Sequence, residues 1–154
     1  MITVTSRELE IRRASPGDRS FVASLAREAF GVFTRHAEST TAKMLHVPGS
    51  VTLVAERGRR PIGFVVVEAR GRGLASIQAI AVRPGEHGQG VGQRLMSAAI
   101  RVAREGGATE LRLCTAQANV EALSLFLKAG FRIVRRMPRF YARGQDACEL
   151  VRSI

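Results

Sequence analysis

The chain has 154 residues, 45% apolar and 24% charged, a size and composition that fit one folded domain and exclude a long disordered protein. Its net charge of +11 points to anionic partners, yet there is no basic run of five residues and no recognised nucleic-acid motif. Two cysteines are too few for a disulfide framework or a zinc site, and no apolar run approaches the ~18 residues of a membrane helix.

The N-terminal stretch MITVTSRELEIRR lacks the basic-then-apolar order of a secretory signal, so a soluble cytoplasmic protein is expected. Cys114 and Cys148 are expected to be reduced and largely buried. No metal is expected.

Alternation over Glu8–Arg13 predicts a first strand. Ser15-Pro16-Gly17-Asp18 is a helix start, with Ser15 as cap and Pro16 in the first position. Phe21, Val22, Leu25 and Ala29 then recur at helical spacing. A less defined helical stretch covers Thr34 to Leu45 and stops before Pro48-Gly49. Val51–Glu56 and Pro61–Glu68 read as an antiparallel pair joined by a turn at 57–60, and Leu74–Val82 as a third strand after the turn at Gly71-Arg72-Gly73. Val91–Glu105 places Leu95, Met96, Ala99, Val102 and Ala103 on one helical face, and Gly106-Gly107 ends it. Glu110–Thr115 is a strand. Asn119 can cap a helix that runs to Ala129 and stops at Gly130. Phe131–Arg136 and Ala147–Val151 are the last strands. The order predicts a single α/β domain with a mixed, largely antiparallel sheet and helices on both faces.

Between the third strand and the long helix lies RPGEHGQGVGQRL, with Gly88, Gly90 and Gly92 inside five positions. A glycine-rich turn running into a helix N-terminus gathers backbone N–H groups and the positive end of the helix dipole, which makes an anion site. A Walker A loop is excluded because no Gly-Lys-Ser/Thr follows. A dinucleotide loop is excluded because the spacing is Gly-x-Gly-x-Gly and follows the wrong strand. A tight turn that needs glycine only for packing stays open.

Two blocks, IQAIAVRPGEHGQGVGQRLM (77–96) and TAQANVEALSLFLKAGF (115–131), resemble the GNAT superfamily of acetyl-CoA-dependent N-acetyltransferases. His87 takes the Arg/Gln place of that family's pyrophosphate loop, and Gly90 and Gly92 its two small places. Asn119, Ala122, Gly130 and Phe131 match the second block. The resemblance implies that the Leu74–Val82 and Glu110–Thr115 strands splay apart and hold acetyl-CoA between them. The pantetheine arm would lie along Ile80, Ala81 and Val82, and the pyrophosphate on the N–H groups of Gly88, Gln89, Gly90, Val91, Gly92 and Gln93. Asn119 would contact the cofactor, and a plain helix cap is an equally good role for it. His87 would face phosphate.

Two positions depart from the family pattern. Phe126 stands where many members carry a tyrosine as general acid, and would instead wall the cofactor tunnel. Cys114 stands where enzymes acting on protein N-termini carry a glutamate base. Direct attack, with proximity supplying most of the acceleration, remains available because a thiolate can leave unprotonated. Loss of catalysis is the alternative, leaving an acyl-CoA-binding or nucleic-acid-binding regulatory domain.

FYARGQDACEL (140–150) resembles the aromatic hairpin of N-terminal protein acetyltransferases. Tyr141, the chain's single tyrosine, is the candidate to orient the acceptor amine or relay its proton; ordinary hairpin packing is the competing role. An α-amine titrates near 8 and a lysine near 10.4, so presenting a neutral lysine at pH 7 costs about 3 kcal/mol more. The expected acceptor is therefore a protein or peptide N-terminus or a small amine, and the assembly a monomer or homodimer.

Overall fold

In a computed structural model the described residues are 8–154. The first seven residues, which hold much of the stretch read above for a leader, lie outside them. The elements are β1 (Leu9–Arg13), α1 (Arg19–Phe30), α2 (Ala37–Lys43), β2 (Ser50–Arg57), β3 (Arg60–Gly71), β4 (Leu74–Val82), α3 (Val91–Glu105), β5 (Glu110–Ala116), α4 (Val120–Lys128), β6 (Arg132–Met137) and β7 (Ala147–Ser153). No helix among the described residues is long and apolar enough to cross a membrane.

The strands form a seven-stranded sheet in the order β1-β2-β3-β4-β5-β7-β6. Only β4 and β5 run parallel, because α3 carries the chain across the sheet between them. Two cores result. Leu95, Met96, Ala99 and Ala103 of α3 and Phe126 of α4 pack on one face with Leu53, Val65, Ile77, Leu111, Leu113 and Leu150. Val22, Leu25 and Ala26 of α1 pack on the other with Val54, Phe64, Val66, Ala79 and Ala81.

The alternation of β4 changes faces midway. Val66 pairs with Ala79 but Val67 pairs with Ile77, so Gln78 is an extra residue, a β-bulge. Ala75 and Ile77 therefore join the α3 core, whereas Ala79 and Ala81 join the α1 core. The bulge sits where β4 and β5 part.

Boundaries differ from expectation mainly in α2. It starts at Ala37, since the Phe33 and Thr34 amides still bond the Phe30 carbonyl that closes α1, at 2.9 and 3.1 Å. Residues 44–46 then form a separate 3-10 turn. The cysteine expectation needs a correction. Both thiols are free and Cys148 is buried, but Cys114 is exposed, because Leu113 and Thr115 take the core side of β5 and leave Cys114 on the opposite face.

The entry to α1 is fixed by charge. The Ser15 amide donates to Asp18 Oδ2 at 2.7 Å, and Arg12 forks onto both Asp18 oxygens at 2.8 and 2.9 Å while its Nε reaches Glu56 at 3.0 Å. The Arg12 hydrogen bonds, more than any other contact, hold the Asp18 carboxyl below the usual carboxylate range. Asp18→Asn should therefore cost about 1–3 kcal/mol in denaturant melts at pH 7, discounted because Arg12 is partly exposed. A carboxyl with a depressed folded-state pKa adds stability above its unfolded value near 4 and loses it as pH falls through the folded one. The gap between parent and variant should accordingly close below about pH 4. Equal melts at pH 7 would refute this role.

Candidate active site

The β4–β5 ladder covers Leu74↔Glu110 to Ile77↔Leu113 and stops there. Beyond it β4 continues to Val82 paired only with β3, and β5 continues to Ala116 paired only with β7. One backbone edge of residues 78–82 is thus left open in a wedge between the two strands. Such an edge is a template for another extended chain. Ala81 is buried, and Ile80 and Val82 line the wedge as partly buried residues of the α3 core.

At the wide end β4 turns through residues 84–86 into the glycine loop. Gly88 and Gly90 have φ of 78° and 79°, and a Cβ built on either would meet nothing within 4 Å. These two glycines are needed for their left-handed backbone, and the space beside them is open. The first amide of α3 bonded within the helix is Arg94, to the Gly90 carbonyl at 3.0 Å. The N–H groups just before it, in Val91, Gly92 and Gln93, are the helix's unpartnered donors, backed by a helix of 15 residues. A cleft of about 560 Å³ opens beside them, lined by Arg57, Gln89, Gly90, Gln93 and Arg94 among others. An anion is favoured here by both backbone and side-chain charge.

Gly92 has a different reason to be glycine. A Cβ there would lie 3.2 Å from Leu125 Cδ2, so the position is set by the close approach of α3 to α4.

His87, Asn119 and Phe126 hold the wedge. His87 Nε2 lies 2.9 Å from the Val82 carbonyl, which accepts, and Nδ1 lies 3.5 Å from Glu121. The ring fastens the loop to the end of β4 and the start of α4. Asn119 Oδ1 accepts from the Ala122 amide at 3.2 Å, the helix cap expected of it. Phe126 is 3% exposed and its ring meets Phe131 edge-on at 6.1 Å, so it belongs to the core behind the wedge.

On the sheet's other face α1 packs against β3 and β4. The continuation of that face over β5, β7 and β6 carries Arg112, Cys114 and Arg135, which are exposed, and Glu149, which is partly buried between them. The β6–β7 loop leans over this area. Tyr141 packs its ring against Phe33 at 5.5 Å and Phe140 at 5.1 Å, and Gln145 Nε2 donates to the Val32 carbonyl at 2.7 Å. Two loops distant in sequence thereby meet above the parting strands. Burial, and the charge Cys114 would carry as a thiolate, push the Tyr141 phenol up to about 12. It is a hydrogen-bond donor at neutral pH and a poor base. Cys114 is exposed but partly desolvated by its neighbours; that desolvation first, and Glu149 second, push its thiol up as well, against the opposing effect of Arg135. Sequence reasoning missed Phe33 and Glu149. Phe33 has no local signal, and Glu149 had one: a charge inside the apolar stretch CELV.

The Acetyltransferase (GNAT) family model matches residues 19–131, which spans both the wedge and the glycine loop. The chain is a GNAT acetyltransferase. This acetyltransferase is 33% identical over 100 residues to N-alpha-acetyltransferase 30 of Schizosaccharomyces pombe, covering 62% of its own length and 67% of that protein. It superposes on Ard1 from Thermoplasma volcanium with a TM-score of 0.85 at 25% identity, covering 95% of this chain and 97% of that one. Arabidopsis thaliana NAA60 in complex with acetyl-CoA shares the fold, with a TM-score of 0.83 at 19% identity over 96% and 99% of the two chains. The acetyltransferase takes its acetyl group from acetyl-CoA, the cosubstrate of the family.

Proposed function

We propose that this enzyme acetylates the α-amine of a peptide or protein N-terminus by direct attack on acetyl-CoA. The observation that carries the reading is the aromatic cluster beside the parted strands: Phe33, Phe140 and Tyr141 pack ring on ring, and the Gln145–Val32 hydrogen bond pins their two loops together. The likeness to an N-alpha-acetyltransferase supports it, as does the lower pKa of α-amines, which leaves more neutral nucleophile at pH 7.

In this reading Ile80, Ala81 and Val82 bond the pantetheine arm along the open edge. Gly88, Gln89, Gly90, Val91, Gly92 and Gln93 surround the pyrophosphate, His87 fixes the loop, and Asn119 and Phe126 support the wedge from α4. Acetyl-CoA supplies the activated acyl carbon, and the protein supplies alignment and exclusion of water. Tyr141 meets the acceptor. Arg35, Arg139 and Arg143 are exposed on the two facing loops with no ion pair among the described residues, so acidic peptides are preferred. The two free thiols suit a cytoplasmic setting.

The test is thiol release from acetyl-CoA with a peptide panel. Peptides with free N-termini should turn over, acidic ones fastest, and blocked peptides carrying internal lysine should not. Turnover confined to lysine or to small amines would overturn the acceptor assignment. Phe126→Leu should keep turnover within about tenfold, ~1.4 kcal/mol, since the ring serves packing and not proton transfer. A complete loss with intact acetyl-CoA binding would contradict that.

A further inference from the structure

The reaction releases a proton from the attacking nitrogen, and the β5 position opposite the wedge holds a thiol where a carboxylate would serve. Three titratable groups approach this point on the open face: Cys114 from β5, Tyr141 from the β6–β7 loop and Glu149 from β7, with the Arg135 guanidinium from β6 beside them. The first two are acids held protonated by their surroundings. Glu149 is the carboxylate.

Its placement follows from register. Glu149 is the direct cross-strand partner of Cys114, and Leu113 is the last β5 residue paired with β4. Cross-strand partners share a face with Cβ atoms about 5 Å apart. A carboxylate on β7 at this register thus reaches the space that a carboxylate at position 114 would occupy, at the first step beyond the parting of the strands. Glu68 and Glu110 lie on rows further back, where β4 and β5 are still paired or β4 meets β3. The Glu149 side chain is 19% exposed, and Arg135 holds it through Oε2 at 3.4 Å. Oε1 has no hydrogen bond from the described residues and so keeps its lone pairs for a proton. Gln78, the bulge residue, is exposed on the neighbouring strand and bonds Ser76 at 2.7 Å, so it does not fill the space.

We propose that Glu149 is the catalytic base of this acetyltransferase, receiving the acceptor amine's proton on Oε1 while Arg135 orients the carboxylate through Oε2. The nitrogen lone pair forms the N–C bond, the C–S bond breaks with its electron pair on sulfur, and one nitrogen proton passes to Glu149; Glu149 then releases that proton to water, and the coenzyme A thiolate is protonated from the same solvent, so no net proton is gained or lost. The assignment rests on acetyl transfer to an amine and holds for any amine acceptor.

Glu149→Gln keeps the shape and the Arg135 contact and removes the basicity. It should lower kcat about tenfold with the KM for acetyl-CoA unchanged, measured with the best acceptor of the panel. Adding Cys114→Glu to that variant puts a carboxylate into the same space from β5 and should recover most of the loss, which a packing role would not do. Equal kcat for Glu149→Gln and the parent, or no recovery in the double variant, would overturn the proposal. If the parent prefers a small amine, the peptide reading falls while the same comparison still decides Glu149. A parent inert towards every amine would overturn both.

Discussion

Gly90→Asp is expected to abolish acetyl-CoA binding in titration calorimetry. Gly90 is the residue from which α3 starts, with φ of 79°, a backbone region that side chains other than glycine rarely adopt. The space around it is empty, so the aspartate would be accommodated without a clash but with backbone strain. Its charge would then stand at the positive end of a helix of 15 residues, beside the unpartnered N–H groups that begin it. A carboxylate there satisfies those donors internally and repels a diphosphate. Both effects act on the ligand, and the fold should survive with a thermal midpoint within a few degrees, as about 1 kcal/mol of αL strain implies. Gly90→Ala separates the two causes: it retains the strain, adds no charge and should weaken binding far less. A folded Gly90→Asp protein with the parent's affinity would remove the loop from the cofactor site. Gly92→Ala makes the contrasting case, since its Cβ would press on Leu125 and should reduce stability more than affinity.

Tyr141→Phe should lower kcat/KM by ten- to a hundredfold, about 1.4–2.7 kcal/mol, with acetyl-CoA affinity unchanged. The substitution deletes one oxygen and leaves the ring held between Phe33 and Phe140. Burial pushes the phenol up to about 12, so it remains a donor throughout the pH range of an assay. In the proposed role its contribution is a hydrogen bond that orients the acceptor, not removal of a proton. The fractional loss on Tyr141→Phe should therefore be the same at pH 7 and pH 9. A loss that grew or vanished between those values would assign the tyrosine a titrating role, and identical rates for variant and parent would leave it a packing role alone.

Much of this enzyme is legible in its sequence. Strand and helix positions came from local periodicity, which burial on one face imposes within a few residues. Val91–Glu105 was read to the residue because the apolar stripe starts after a glycine run and ends in one. Leu74–Val82 was equally clear as a strand, although its change of face at Gln78 was invisible. A bulge is defined by the partner's register, and alternation of small apolar residues such as Ala79 and Ala81 looks the same on either face. The glycine loop announced an anion site because backbone conformation and residue type are locally coupled.

What the sequence by itself determined, then, is the order of elements, the helix N-terminus that favours an anion and the family to which these motifs belong. The tertiary structure decided the rest through contacts between distant segments. The parting of β4 from β5 at Ile77 and Leu113 opens the wedge. The contact of Phe33 with Tyr141 brings two remote loops together as its roof. The register that sets Glu149 opposite Cys114 places a carboxylate beside a missing one. These depend on which strands pair and how far, and pairing is settled by the summed packing of both cores, a quantity no short stretch of residues carries.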